Sequence, residues 1–189
     1  MRIFAIGSLI ALVILSACKN DSRPPSQAWH RPKLSQILAI NHVESPDKAL
    51  ELLGRELQHP NWLAPDPATL RAVASKLEQV CAEKKYPEHA VEIAWQFFER
   101  AATAKVDEDE VVYFLSLRAV WEQLKDTLHR QEGRRDVFAR VDQLFQEAET
   151  ELKAMRRGSG AVADYKYVVQ SNKYAREQLS ALREIILRQ

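Results

Sequence analysis

From Phe138 onward the apolar residues come at steps of three and four: Phe138, Val141, Phe145, Ala148, Leu152 and Met155. After Gly158-Ser159-Gly160 the same step returns at Tyr165, Val168, Asn172, Ala175, Leu179, Leu182 and Ile186. A strand shows one face every second residue, so this spacing is satisfied by helices. Proline removes a helical hydrogen bond and clashes with the preceding turn, and it is absent after Pro87. Two heptad seams joined by a short glycine-containing turn predict a long antiparallel hairpin. Asn172 is the polar member of its seam, where such a residue fixes register at some cost in stability. The seam is either core or an interface with a partner. In the first case Leu179→Asp is severe, while Arg183→Asp, off the seam, should cost little.

The upstream chain reads the same way. Leu34 to His42 can form a short helix. Ser45-Pro46-Asp47 is a helix start, with Ser at the N-cap, Pro at the first helical position and an acid at the positive end of the dipole. Ala49, Leu50, Leu53 and Leu57 give that helix its apolar face, Gly54 weakens it, and His59-Pro60 ends it. Asp66-Pro67 repeats the start, and Leu70, Val73, Ala74, Leu77, Val80 and Cys81 line one face. Tyr86-Pro87 breaks the chain before a helix from Glu88 to about Ala104, apolar most of the way round and so packed on several sides. In Asp107-Glu108-Asp109-Glu110, Asp107 as N-cap and Glu110 three later form a capping box, a simpler account than a metal or a basic partner. That helix runs to about Glu132, with Gly133 as its C′ stop, and Arg134 to Arg157 follows.

No stretch alternates like a half-buried strand. Helix starts near residues 67, 87, 108, 134 and 161 lie at lengthening intervals, unlike the fixed 34-residue unit of tetratricopeptide repeats. The expectation is an all-α fold over residues 34–189: an irregular multi-helix bundle, or a degenerate α-solenoid, ending in the long hairpin.

The start of the chain differs in kind. Met1-Arg2 is basic, Ile3 to Leu15 is apolar apart from Gly7 and Ser8, and small residues Ser16 and Ala17 follow. This is the pattern of a secretory signal peptide. At 13 residues the apolar run is shorter than the roughly 20 needed to span a bilayer. Leu15-Ser16-Ala17-Cys18 resembles the lipobox of bacterial lipoprotein precursors. The resemblance implies that residues 1–17 are removed, that Cys18 becomes the N-terminus, and that it carries acyl chains. It also implies a place in the cell envelope. Lys19, where Asp favours inner-membrane retention in enteric bacteria, points to the outer membrane facing the periplasm. Residues 18–33, with Pro24, Pro25 and Pro32, then form a tether of about 3 Å per residue where proline stiffens it.

Losing Arg2 leaves 26 basic residues against 26 acidic. Nothing in that balance provides the basic face that nucleic acid demands. With Cys18 acylated, Cys81 has no intrachain partner. It is a buried small hydrophobe or bonds to a partner's cysteine.

The chain holds no phosphate-binding Gly-rich loop, Gly-x-Ser-x-Gly or His-Glu-x-x-His. Glu56-x-x-His59 and the looser Asp126-x-x-His129 echo one element of di-iron bundles, which need inward Glu on two further helices. Glu51, Glu92 and Glu122 read as solvated or ion-paired. No catalytic residue, metal or cofactor is expected. Tyr167, Tyr174 and Lys166 lie off the last seam, where they either bind a partner or are covered by another helix. The functional expectation is a membrane-anchored, non-enzymatic lipoprotein binding another envelope protein, as an accessory or assembly subunit of an envelope or secretion machine. Small helical pilot proteins of such machines belong to this class, although they often carry a disulfide that this chain cannot form. The alternatives are an immunity or exclusion protein and, further off, an envelope enzyme.

Overall fold

The computed structural model describes residues 38–39, 46–59, 62, 65–85, 87–106, 109–157 and 164–188. The signal peptide, Cys18 and the tether lie outside the described residues, as do most of Leu34–His42, Ser45, Asp107 and Gly158–Gly160. Among the described residues six α-helices with defined bounds follow one another: α1 (Pro46–Leu57), α2 (Pro67–Glu83), α3 (Glu88–Thr103), α4 (Glu110–Leu128), α5 (Arg135–Arg157) and α6 (Asp164–Leu187). No strand occurs among the described residues, so the fold is all-α.

Helix α4 is the centre. The backbones of α2, α3 and α6 come close to it, α1 lies against α2 and α3, and α5 lies beside α6. The last two helices are joined by six residues, so they run antiparallel. Helix α6 also reaches back to α3, a contact across chain order that a solenoid of neighbour-only units does not make. The arrangement is an irregular bundle.

An aromatic layer stands between α5 and the helices α3 and α4. Phe98 meets Trp121 with ring centroids 5.0 Å apart, Phe114 meets Phe145 at 5.4 Å, and Trp95 and Trp121 meet Phe138 at 5.4 and 5.7 Å. All six rings are essentially fully buried. Tilted aromatic pairs of this kind add about 0.5–1.5 kcal/mol each beyond their burial. Polar ties cross the same boundary. The Trp121 indole N–H donates to Asp142 at 2.7 Å, Lys125 pairs with Asp142 at 3.0 Å, and Arg118 pairs with Glu149 at 2.6 Å.

The expected starts and stops are partly corrected. Asp66 caps α2 as read, accepting from the backbone N–H groups of Ala68 and Thr69. At α4 the N-cap is Asp109, not Asp107: its side chain accepts from Val111 and Val112. Glu110 therefore makes no capping box; it pairs with Arg176 of α6 at 2.7 Å. Helix α4 ends at Leu128, earlier than expected, with the His129 N–H bonded back to the Lys125 carbonyl. Gly133 lies inside a 3₁₀ turn, Glu132–Arg134, with no positive φ, so it is not a C′ stop. The left-handed position falls instead on Lys85 (φ 55°), just past α2. Gly54 faces α3: a Cβ built there would meet Ile93 Cδ1 at 3.5 Å, an ordinary contact, so the approach of the two helices does not require glycine.

The seams are core over most of their length. Phe138, Val141, Phe145, Ala148 and Leu152 are buried on α5, and Ala175, Leu179, Leu182 and Ile186 on α6. Val168 is 50% exposed, and among the described side chains of α6 the buried ones run from Ser171, one turn further on. Asn172 is half-buried with its Oδ1 buried and unpartnered. Arg183 is not the neutral position expected from the sequence: it donates to the Ala104 carbonyl at 2.9 Å, tying α6 to the end of α3.

Candidate functional site

Two surface regions present more than a plain helical exterior. The first is an open cleft of about 940 Å³ between the start of α3 and the 3₁₀ turn, lined by Glu88, His89, Glu92, Arg130, Gln131 and Arg134. Its floor is an ion-pair network. Glu92 accepts from Arg134 at 2.8 Å, from Gln131 at 2.9 Å and from Gln96 at 3.3 Å. The Arg134 guanidinium sits 5.2 Å over the Trp95 ring, a cation–π contact. Arg134, chiefly through its hydrogen bond, holds the Glu92 carboxyl below the usual carboxylate range. Burial moves Glu99, about two helical turns along α3, the other way. The network fastens the turn before α5 onto α3 and covers a buried indole. Glu92 is thus ion-paired, as the sequence reading had it, and Glu51 pairs with Arg55. Across the His89–Glu92–Gln96 ridge, a second hollow of about 570 Å³ opens over Gly54, where α1 carries no side chain to fill it.

The second region is where α5 ends and α6 begins. Tyr167 is half-buried, Val168 and Val169 are exposed, and Met155 on α5 is partly covered. Tyr174, one heptad beyond Tyr167, packs half-buried against the core, so another helix covers part of it. Its hydroxyl is pushed up by burial and then by Glu151, Glu147 and Glu177. The Lys166 side chain lies outside the described residues. The three residues expected to form one binding patch therefore divide: Tyr167 belongs to the hairpin end and Tyr174 to the flank of the core. Sequence reasoning missed the exposure of Val168 because heptad spacing alone does not separate an exposed position from a buried one. It also missed the cleft, whose key pair, Glu92 and Arg134, is 42 residues apart. On the outer face of α4, Val112 and Leu115 are exposed three residues apart.

Glu56 is buried, His59 is half-buried just past α1, Asp126 is exposed and His129 caps α4. Among the described residues no three His, Cys, Asp or Glu side chains come together to hold a metal ion. His129 has other neighbours: its ring stacks on Phe138 at 5.5 Å, with Nε2 3.6 Å from Asp142. Cys81 is free and fully buried, and burial pushes its thiol up to about 11. The folded chain therefore cannot offer it to a partner's cysteine. No helix among the described residues is long and apolar enough to cross a membrane. No family model matches the chain, and neither a curated protein nor a solved structure is significantly similar to it.

Proposed function

We propose that the chain is a membrane-anchored lipoprotein of the cell envelope whose helical domain binds another envelope protein, as an accessory or assembly subunit of an envelope or secretion machine. One observation carries the anchoring: a 13-residue apolar run ending in Leu-Ser-Ala-Cys at Cys18, followed by a polar, proline-rich stretch. Acyl chains contribute about 0.8 kcal/mol per buried CH₂, and one chain alone holds a protein only marginally. A cysteine carrying several chains gives a stable anchor and leaves the domain free to reach a partner.

The binding role is supported by what the domain leaves outside. Its aromatic layer is filled, and the apolar gap between α1 and α2 holds about 10 Å³, the space of a single water probe. Leu115 and Val112 lie on the outer face of α4, where burial by a partner would gain apolar contact. In-membrane cross-linking of the acylated protein, with identification of the captured species, tests the reading. A defined envelope protein is expected, lost in Leu115→Asp and retained in Ser180→Asp. Capture of the same species by both variants would place the contact elsewhere. Capture of none would contradict the binding role.

A further inference from the structure

We propose that the outer face of α4 is a docking seam for a partner's amphipathic helix, apolar along one half and basic along the other. The inference rests on the partner-binding reading and deepens it by naming the kind of element that is bound. The exposed residues of α4 are Val112, Leu115, Ala119, Glu122 and Asp126; every other residue of that helix is buried or half-buried. They step three, four, three, four, the spacing with which one helix meets another along a heptad seam. Two helices flank the stripe. On one side Gln123 donates to Glu78 of α2 at 3.1 Å, and on the other Arg118 pairs with Glu149 and Lys125 with Asp142 of α5. The side chains of α2, and those of α5 as far as Arg156, are all described, and they leave the stripe open between them.

The seam changes character along its length. Its first half is apolar: Val112 is 49% and Leu115 43% exposed, and Ala119 follows. Its second half is acidic. Glu122 and Asp126 make no hydrogen bond or ion pair with a described residue, and Glu78 beside them is bonded to the neutral Gln123. The bases of this region are engaged elsewhere. Lys125 is held by Asp142, His129 faces the same carboxylate, Lys76 lies over the gap between α1 and α2, and Arg130 lines the cleft beside α3. Glu78, Glu122, Asp126 and Asp142 therefore share one lysine and the His129 ring. Arg71, about two turns before Glu78 on α2, borders the apolar half instead. Arg118 there is matched by Glu149 at 2.6 Å.

A helix that covers Val112, Leu115 and Ala119 with its own apolar residues, and carries Lys or Arg over the acids, satisfies both halves at once. A second copy of this chain does not. Parallel pairing of two α4 seams sets Glu122 and Asp126 against their own images, and antiparallel pairing lays Val112 and Leu115 on the acids. The same carboxylates are repelled by anionic lipid.

The test uses a chain beginning at Lys19, which has no acylation site and keeps the fold, since the described core lies between Ala49 and Ile186. The probes are dye-labelled helical peptides about three heptads long, with leucine along half of the seam and lysine along the other half. Both orders of the halves are made, to allow parallel and antiparallel docking, and matched peptides carry glutamate for lysine. Fluorescence anisotropy should show binding of one lysine peptide, weakening as salt screens the charges, and none of its glutamate twin. Leu115→Asp should lower that binding about ten-fold. The double variant Glu122→Lys, Asp126→Lys should lower it about ten-fold and bind the glutamate peptide instead. Ser180→Asp, exposed on α6, should bind as the parent does. Circular dichroism should be unchanged in the double variant, whose two positions are exposed. No peptide binding, equal binding of lysine and glutamate peptides, or an unchanged preference in the double variant would each overturn the proposal. A dimer in sedimentation equilibrium that Leu115→Asp dissolves would overturn it in favour of a second copy. Binding to phosphatidylglycerol vesicles that Leu115→Asp abolishes would overturn it in favour of the bilayer. Peptide binding as expected, with no envelope protein captured by cross-linking in the membrane, would refute the accessory-subunit reading and leave the seam as a helix-docking site.

Discussion

Asp142 gives the sharpest test of how the two halves of the bundle are joined. Its carboxylate accepts the indole N–H of Trp121, a side chain with no solvent exposure, at 2.7 Å, and it pairs with Lys125 at 3.0 Å. Asp142→Ala removes the acceptor of that buried donor. An orphaned buried donor costs about 1–3 kcal/mol, and a hydrogen bond to a charged group contributes about 1.5–3 kcal/mol. Lys125 is partly exposed, so loss of its ion pair adds less than about 1 kcal/mol. The sum for Asp142→Ala is about 2–4 kcal/mol, a large part of a domain stability of about 5–15 kcal/mol. Asp142→Asn keeps a neutral oxygen in place and should cost about 1 kcal/mol. Urea unfolding followed by far-UV circular dichroism measures both at constant slope. If the two variants lose the same stability, or both lose less than about 0.5 kcal/mol, water has replaced the carboxylate and the reasoning fails.

Leu179→Asp puts a charge into the packed α5–α6 seam; loss of the leucine alone costs about 2–5 kcal/mol, so the variant is expected to melt far lower or not to fold. Ser180→Asp, exposed on the same helix, should melt within a degree or two of the parent, and equal melting of the two would move the seam out of the core. Cys81 should resist thiol reagents in the folded chain and react only at the rate of unfolding, because its thiol is fully buried and raised to about 11; rapid labelling in native buffer would contradict its burial. Glu92 is held ionised below the usual range by Arg134, so its contribution is present above the unfolded glutamate pKa and is lost as pH falls through the depressed folded value. Glu92→Gln is therefore expected to flatten the acid side of the stability profile, and an unchanged slope would count against the pair. Glu99, raised by burial, acts in the opposite sense and partly offsets it.

The fold class and the helix order were legible because they are local. The spacing of three and four from Phe138 to Ile186, Asp66 before Pro67 and the break at Pro87 each act within one or two turns, and each appears in the structure where it was read. What was not legible depends on distant residues. Asp107 and Asp109 are equally suited to cap α4, and the choice of Asp109 leaves Glu110 placed to meet Arg176, 66 residues away. Gly133 reads as a helix stop, yet the chain continues through a 3₁₀ turn fastened to α3 by Arg134 and Glu92. Arg183 reads as a surface residue because nothing nearby in sequence marks the Ala104 carbonyl it satisfies. Val168 fits the heptad as well as Ala175 does, yet one is exposed and the other buried, a difference the spacing alone does not carry.

The anchor is tested most directly at Cys18. The chain is expressed in a bacterium, recovered from its membranes, and the mass of its N-terminal peptide is measured. The account predicts a peptide beginning at Cys18 and heavier by a diacylglycerol and an amide-linked acyl chain, with Cys18→Ser giving an unprocessed precursor. A peptide that begins elsewhere, or an unmodified Cys18, would contradict it.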